Sequence, residues 1–293
     1  MSAVEHELIT RLLSVRQHTK DGARTPHKPL LMLLALGQMA ATGSSAMDWS
    51  VVEERLGLLL EEFGTSVSTS PAYPFTRLRS DGVWALSRQV DNDSTGQLRA
   101  APIDGRFVPE VEEPLRDPAV RSAAARAILE QQFPMTLIPD IASACGLDLD
   151  EVYAVPGVRV AVGRRRDPRW RDLIIAAWDR SCAFCGFDGA LRGVPVGIDA
   201  AHVRWFNFDG PDESDNGVAL CALHHRMLDR GVLGLSDPET VMVSRHFSAV
   251  TPAGRSVYDL HGHRLRPRPG TRLPSEDHVA WHRREVFKGE AVA

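Results

Sequence analysis

Two short spacings constrain this chain more than anything else in it. Cys182-Ala-Phe-Cys185 is a tight turn that brings two thiolates to one point. Cys221-Ala-Leu-His224, starting 36 residues after Cys185, repeats the two-residue spacer. Together they offer the Cys3His set of a tetrahedral structural zinc site. Four cysteines in 293 residues make no secreted disulfide framework, and a C-x-x-C pair in a cytosolic chain points to metal. Cys145, beside Gly146 in an apolar stretch, reads as a buried spectator thiol. His224 and His225 are adjacent on an expected helix, so their side chains diverge by roughly 100°. Both the third and the fourth residue after Cys221 share its helix face, so geometry alone leaves the two histidines exchangeable as the fourth ligand.

Between the half-sites lies Ile198-Asp199-Ala200-Ala201-His202-Val203, an apolar-flanked strand with one acid and one histidine. Asn216 follows His202 by 14 residues, and His225 follows Asn216 by nine. This order resembles the HNH endonucleases (ββα-metal nucleases), in the subclass whose finger is embedded in zinc-binding cysteines. The resemblance runs from about Asp167 to Asp237. Further on, Trp281-His282-Arg283-Arg284-Glu285-Val286-Phe287 is similar to the closing helix of related nucleases. It implies that His202 is the general base, that Asn216 orients that imidazole or the finger's loop, and that His225 binds a catalytic ion. Family order then assigns His224 to zinc, with Cys182, Cys185 and Cys221. Many HNH sequences carry an acid directly before the histidine, where Ala201 stands here. Positions one and three before His202 face the same side of a strand, so Asp199 can reach the ion; the alternative is an ordinary solvent-facing aspartate. Phosphodiester hydrolysis needs an activated water, charge neutralisation and a stabilised leaving oxygen. A divalent ion supplies the last two while a histidine deprotonates the water. The implied cofactors are structural Zn2+ and a catalytic Mg2+, Mn2+ or other divalent ion. Arg192, Arg204 and Arg226 flank the site and suit phosphate positioning. His246, His261 and His263 have no partner at a ligand spacing.

The remaining sequence sets the frame. With 43% apolar and 25% charged residues, the chain is ordinary globular material, long enough for two domains. Its longest apolar run, Leu30 to Leu36, falls short of the roughly 18 residues a membrane span needs. The N-terminus has no basic region ahead of an apolar stretch. These features predict a cytoplasmic protein without a membrane partner. The net charge of −4 announces no nucleic-acid binder, but it is unevenly spread. Residues 81–160 hold 7 basic and 13 acidic side chains, whereas residues 161–293 hold 19 and 17, with eight of the eleven histidines. Local DNA binding needs no high overall pI.

Helical spacing of Val4, Leu8, Leu12 and Val15 predicts a helix over residues 3–17. Pro26 and Pro29 open a second, from Leu30 to Ala41, ended near Gly43. A third follows Asp48 and Ser50 to Glu62, closed by Gly64. Ser70-Pro71-Ala72-Tyr73-Pro74-Phe75 looks too proline-rich for regular structure. Thr76–Arg79 and Val83–Leu86 around Asp81-Gly82 give a hairpin signal. Asp117-Pro118 and Asp167-Pro168 start further helices, reaching Gln132 and about Arg180. The boundary falls near residue 160. The expected fold is α+β: a mainly helical DNA-recognition domain with a short β hairpin in residues 1–160, part of it a connector helix, and a zinc-stabilised ββα-metal (HNH) domain in residues 161–293.

Arg11, Arg16, Lys20, Arg24 and Lys28 recur at intervals of five, four, four and four. A continuous helix would align them, but Gly22 and Pro26 break it, leaving a helix followed by a basic turn. Arg24-Thr25-Pro26-His27-Lys28-Pro29-Leu30-Leu31, with Tyr73-Pro74-Phe75 downstream, resembles the sulfur-binding domain of phosphorothioate-dependent restriction endonucleases, a family that joins this domain to a C-terminal HNH nuclease. The resemblance implies that Tyr73, Pro74 and Phe75 form a pocket for the sulfur. By the same resemblance His27 and Lys28 hold the flanking phosphate, while Arg24 with Arg77 or Arg79 reads backbone or base edges. The physics is coherent: sulfur in place of a non-bridging oxygen is larger, softer and poorly hydrated. An apolar pocket gains by burying it and penalises an oxygen stripped of water, each effect being on the order of 1–3 kcal/mol. The implied partner is double-stranded phosphorothioated DNA. One HNH site holds one nucleophile, so cutting both strands implies a homodimer or pairing of two copies on DNA. Two alternatives stand beside this. A reader of methylated or otherwise modified bases needs aromatics on both faces of a flipped base, and only Tyr73 and Phe75 are candidates. A zinc finger that merely binds DNA has no use for His202, Asn216 and His225 together.

Overall fold

A computed structural model describes residues 3–17, 19–20, 23–24, 26–64, 70–154 and 167–292. The chain forms two compact units, Met1–Gly163 and Arg164–Ala293, of α+β character. No helix among the described residues is long and apolar enough to cross a membrane.

The first unit runs α1 (Ala3–Leu13), β1 (Thr19–Lys20), β2 (Ala23–Arg24), α2 (His27–Thr42), β3 (Met47–Asp48), α3 (Trp49–Phe63) and α4 (Ala72–Arg77). Then follow β4 (Trp84–Leu86), α5 (Thr95–Ala100), β5 (Asp104–Phe107), α6 (Pro109–Leu115), α7 (Pro118–Gln132), α8 (Ile138–Cys145) and α9 (Leu149–Ala154). Helix α2 is its spine. Twelve of its 16 residues are buried, as expected of a helix that is apolar all round, and it packs against α3, α4, α7 and α8. It stops at Gly43, whose φ of 80° admits the left-handed cap that closes its N–H onto the Met39 carbonyl. A Cβ on Gly37 would stand 1.8 Å from the Cys145 carbonyl oxygen, so only glycine lets the end of α8 approach. Cys145 itself is buried there, and burial pushes its thiol up to about 12.

The structure corrects two expectations here. The proline-rich stretch is not irregular: residues 72–77 form α4, continued by a 3-10 turn over Leu78–Asp81. Pro71 and Pro74 fall where a helix start has no need of their missing N–H groups. Consequently Thr76–Arg79 and Val83–Leu86 are not a hairpin. Strand β4 instead pairs with β5, which also pairs with β3. Strands β1 and β2 pair antiparallel, Thr19↔Arg24, within the basic series that a continuous helix would have aligned. Phe75 sits at the centre of an aromatic cluster, 5.1 Å from Trp49 and 6.1 Å from Trp84.

The second unit runs α10 (Pro168–Ala177), β6 (Ala190–Leu191), β7 (Val194–Pro195), β8 (Ile198–His202), β9 (Gly217–Cys221) and α11 (Ala222–Asp229). It closes with β10 (Leu233–Asp237), β11 (Thr240–Val243), α12 (Pro252–Arg255) and α13 (Glu276–Glu285). Asp167 caps α10 by accepting from the Arg169 amide. Strands β8 and β9 pair antiparallel from Ile198↔Cys221 to His202↔Gly217, and α11 follows β9 without a break. A Cβ on Gly217 would meet Ile174 at 2.5 Å and the Trp170 ring at 2.8 Å; its absence lets α10 lie close at the His202 end of the pair. Helix α13 packs on β10, and the buried His282 donates from Nε2 to the Leu228 carbonyl, 3.0 Å away, tying α13 to α11.

Burial drives the His282 imidazole down to about 4, against the pull of the Leu228 carbonyl. Its folded value thus lies below an ordinary unfolded histidine at about 6.5. The unfolded chain binds the extra proton between those values, so the stabilisation is complete above pH 6.5 and drains away as pH falls towards 4. His282→Gln keeps an N–H for Leu228 but does not titrate. Comparing urea unfolding at pH 7.5 and 5, the variant's loss of stability is expected to be about 2 kcal/mol smaller than wild type's. Equal losses would contradict this.

Candidate functional site

Cys182, Cys185, Cys221 and His224 converge with their ligand atoms all within 4.8 Å of one another. The His224 Nδ1 lies 3.5 Å from the Cys182 sulfur and 3.3 Å from that of Cys221. Local backbone explains the arrangement. Gly186 turns back in the left-handed region at φ 75°, its amide closing on the Cys182 carbonyl, while Ala183 docks on the β9 carbonyl of Ala219. Cys221 then stands one residue before α11, and His224 on its first turn. Burial raises the thiols of Cys182 and Cys221 and lowers the His224 imidazole. A divalent cation reverses the first of these effects, because it stabilises thiolate outright. Three sulfurs and one nitrogen at this separation fit a tetrahedral zinc.

Its neighbour on α11 faces elsewhere. His225 Nδ1 is 3.7 Å from an Asp199 carboxylate oxygen on β8, and its Nε2 is 3.4 Å from Asp229. The helical divergence of adjacent residues thus separates the two histidines. Asp199 reaches His225 as the strand alternation allowed, and the nearby His225 imidazole, aided by the charge of Arg171, lowers its carboxyl against burial. Two ligands of a common ion at about 2.1 Å stand roughly 3–4 Å apart, so His225 Nδ1 and Asp199 fit one divalent cation. Asp229, buried and one helical turn beyond His225, sits against the other ring nitrogen, where carboxylates hold metal-binding histidines. Sequence reading missed it, although the i,i+4 spacing on one helix carries the signal.

His202 ends β8. Its Nε2 lies 2.8 Å from Asp212, and its ring stacks on Trp170 with centroids 3.8 Å apart. Asn216 is fully buried and does not reach for the imidazole. It accepts from the Arg204 amide and donates to the carbonyls of Arg204 and Pro211, so of its two expected tasks it performs the holding of the loop. The Arg204 side chain donates to the Phe208 carbonyl and lies over Trp281. His261 accepts from the Val243 amide. Arg192 is exposed at the tip of the β6–β7 hairpin.

In the first unit, two motifs far apart in sequence meet. His27 at the start of α2 stands edge-on to the half-buried Tyr73 ring of α4, centroids 6.2 Å apart. The Arg77 guanidinium lies over the same ring at 5.1 Å and pairs with Asp93 at 2.6 Å. Burial raises the Tyr73 hydroxyl. Pro74 is buried beside it. Two expected contacts do not survive. Phe75 is fully buried in the aromatic cluster and lines no surface. The Lys28 ammonium is bound inside the unit by Asp81, both side chains at most 6% exposed, and by the Arg16 carbonyl. The half-buried Arg79 donates to the carbonyls of Thr76 and Val90. Arg24 lies in β2, its side chain outside the described residues. Arg11 and Arg16 bind the 3-10 turn, at the Gly82 and Ser80 carbonyls.

Residues 5–150 match the family model of ScoMcrA-like DNA sulfur-binding domains. Residues 182–236 match that of HNH endonucleases. No curated protein matches the chain. Among solved structures, the sulfur-binding domain of ScoMcrA complexed with phosphorothioated DNA is 22% identical, with a TM-score of 0.41 over 47% of this chain and 94% of that one. The corresponding SprMcrA complex is 21% identical, with a TM-score of 0.42 over 50% and 96%. A modification-dependent restriction endonuclease, TagI, is 22% identical, with a TM-score of 0.33 over 40% and 37%.

Two outcomes follow from this geometry. His224→Ala is expected to lose its zinc, whereas His225→Ala retains one zinc per chain and the native melting profile; elemental analysis of the purified variants decides it. Asp81→Ala leaves the Lys28 ammonium buried without its carboxylate and should cost about 3–5 kcal/mol in denaturant unfolding. A loss under 1 kcal/mol would show that the pair is not the internal tie described.

Proposed function

We propose, from a chain that joins a ScoMcrA-like DNA sulfur-binding domain to an HNH endonuclease domain, that the protein is a type IV-like restriction endonuclease acting on phosphorothioated double-stranded DNA. The observation that carries the nuclease half is the parting of His224 and His225: one imidazole turns to three thiols, the next to Asp199. A DNA-binding zinc finger would need only the first.

Each side chain then has a task. His225 and Asp199 would hold a divalent ion such as Mg2+ or Mn2+, which when bound neutralises phosphate charge and stabilises the leaving oxygen. His202, at the end of the same strand, takes the proton of the attacking water. Asn216 fixes the loop from Arg204 to Pro211 beside it. Zinc on Cys182, Cys185, Cys221 and His224 sets the start of α11 and with it the bearing of His225. Cutting both strands takes two such sites, and a homodimer on DNA supplies them.

On the recognition side, Tyr73 and Pro74 give sulfur an apolar, poorly hydrated contact, and His27 and Arg77 supply positive or donor groups for the adjoining phosphates. Phe75 supports the pocket from the core.

Duplexes identical except for one sulfur or one oxygen at the same phosphate test the ligand. Wild type should bind the sulfur duplex about 10- to 100-fold tighter, and Tyr73→Ala should reduce that preference to about threefold or less. His202→Ala should keep its zinc and its preference for sulfur while losing cleavage. Equal affinity of the wild-type protein for both duplexes would refute the proposed ligand.

A further inference from the structure

Asp212 belongs to no motif, yet both its oxygens are engaged at the site. One lies 2.8 Å from His202 Nε2; the other accepts the Asp167 backbone N–H at 2.7 Å, where α10 begins. The imidazole is held in other directions as well. Trp170 stacks on its face at 3.8 Å with only 14° between the planes, and Phe206 lies 5.7 Å away. Trp170 is in turn fixed by its indole N–H, which donates to the Glu213 carbonyl at 2.9 Å. The His202 and Asp212 side chains are 10% and 12% exposed, so water competes little for their contact. Asn216 enters here too: one of the two carbonyls it holds, at 3.0 Å, is that of Pro211, the residue directly before Asp212.

We propose that Asp212 is the positioning residue of the cleavage reaction, setting the tautomer and rotation of His202. This rests on the reading of His202 as the general base. An ionised carboxylate can only accept, so Nε2 must carry the proton and the lone pair falls on Nδ1. Nδ1 is therefore the atom that takes the proton from water, while Trp170 fixes the ring plane and Asp212 its rotation. When the base becomes imidazolium, the same carboxylate stabilises it. A carboxylate on the far nitrogen of a catalytic imidazole works in this way in other hydrolases, where its loss costs rate through the wrong tautomer. Asn216 then acts on the chemistry at one remove, by placing Pro211 and hence Asp212.

The test uses the zinc-loaded full-length protein. Long-range 15N–1H spectra, with His202 assigned by comparison with His202→Ala, should show the Nε2–H form in wild type and a mixture of tautomers in Asp212→Asn. With sulfur-containing duplex, Asp212→Asn should lower kcat by at least about tenfold and leave KM within about twofold, with zinc content and melting unchanged. In a His202→Ala background the same substitution should alter the residual rate less than about twofold, because residues that act as a unit are not additive. Asp212→Ala serves as a second variant, with no group left to bond Nε2. Retention of the Nε2–H form in both variants overturns the proposal, as does an equal loss of rate with and without His202. Full activity of His202→Ala would instead sink the base assignment, leaving the tautomer measurement to stand by itself.

Discussion

Bringing three thiols and an imidazole to within one ion's reach is the constraint on which the catalytic half depends. Burial opposes ionisation of Cys182 and Cys221, and three thiolates repel one another, so without a cation at their centre this corner of the fold has little reason to close. With one, the turn of residues 182–186 is fastened to β9, and β9 to the first turn of α11. The chemistry feels this through a single peptide bond. Because His225 adjoins His224, the ion that fixes the bearing of one imidazole fixes that of the other. On the proposed assignment, a metal that takes no part in the reaction aims a residue that does.

The first unit uses charge in a comparable way. Lys28, read by sequence as a contact for DNA, is locked onto Asp81 and the Arg16 carbonyl, joining the start of α2 to the turn that follows α4. Those two helices carry His27 and Tyr73. The buried pair thus ties together the two helices that bear His27 and Tyr73. In the proposed reading the positive charge offered to phosphate belongs instead to the more exposed Arg77. Phe75 has the same relation to Tyr73 and Pro74, as a support beneath them.

What could be read in advance was what short-range physics determines. The zinc set is legible because two two-residue spacers have few other uses. The run Leu30–Leu36 with its prolines and Gly43 declares α2, and strand alternation allowed Asp199 the side on which it meets His225. The failures share a cause, which is dependence on residues distant in sequence. Nothing near Lys28 announces a carboxylate 53 positions later, and nothing near Phe75 announces Trp49 and Trp84. The proline-rich stretch was misjudged because proline disrupts a helix interior but not a first turn. Asp212 meets His202 only once Asn216 has folded the intervening loop, so no spacing encodes it. Asp229 is different: it lay within one helical turn of His225 and was open to inspection.

The adjacency of His224 and His225 also limits how the gene can drift. One codon gained or lost between Cys221 and His225 would rotate α11 by about 100° relative to the thiols, turning the wrong imidazole to the thiols and to Asp199. That segment tolerates exchange of residues but not a change of length. The exposed β6–β7 hairpin between the two half-sites bears on neither ion and is free to lengthen or shorten, so variation among descendants should collect there.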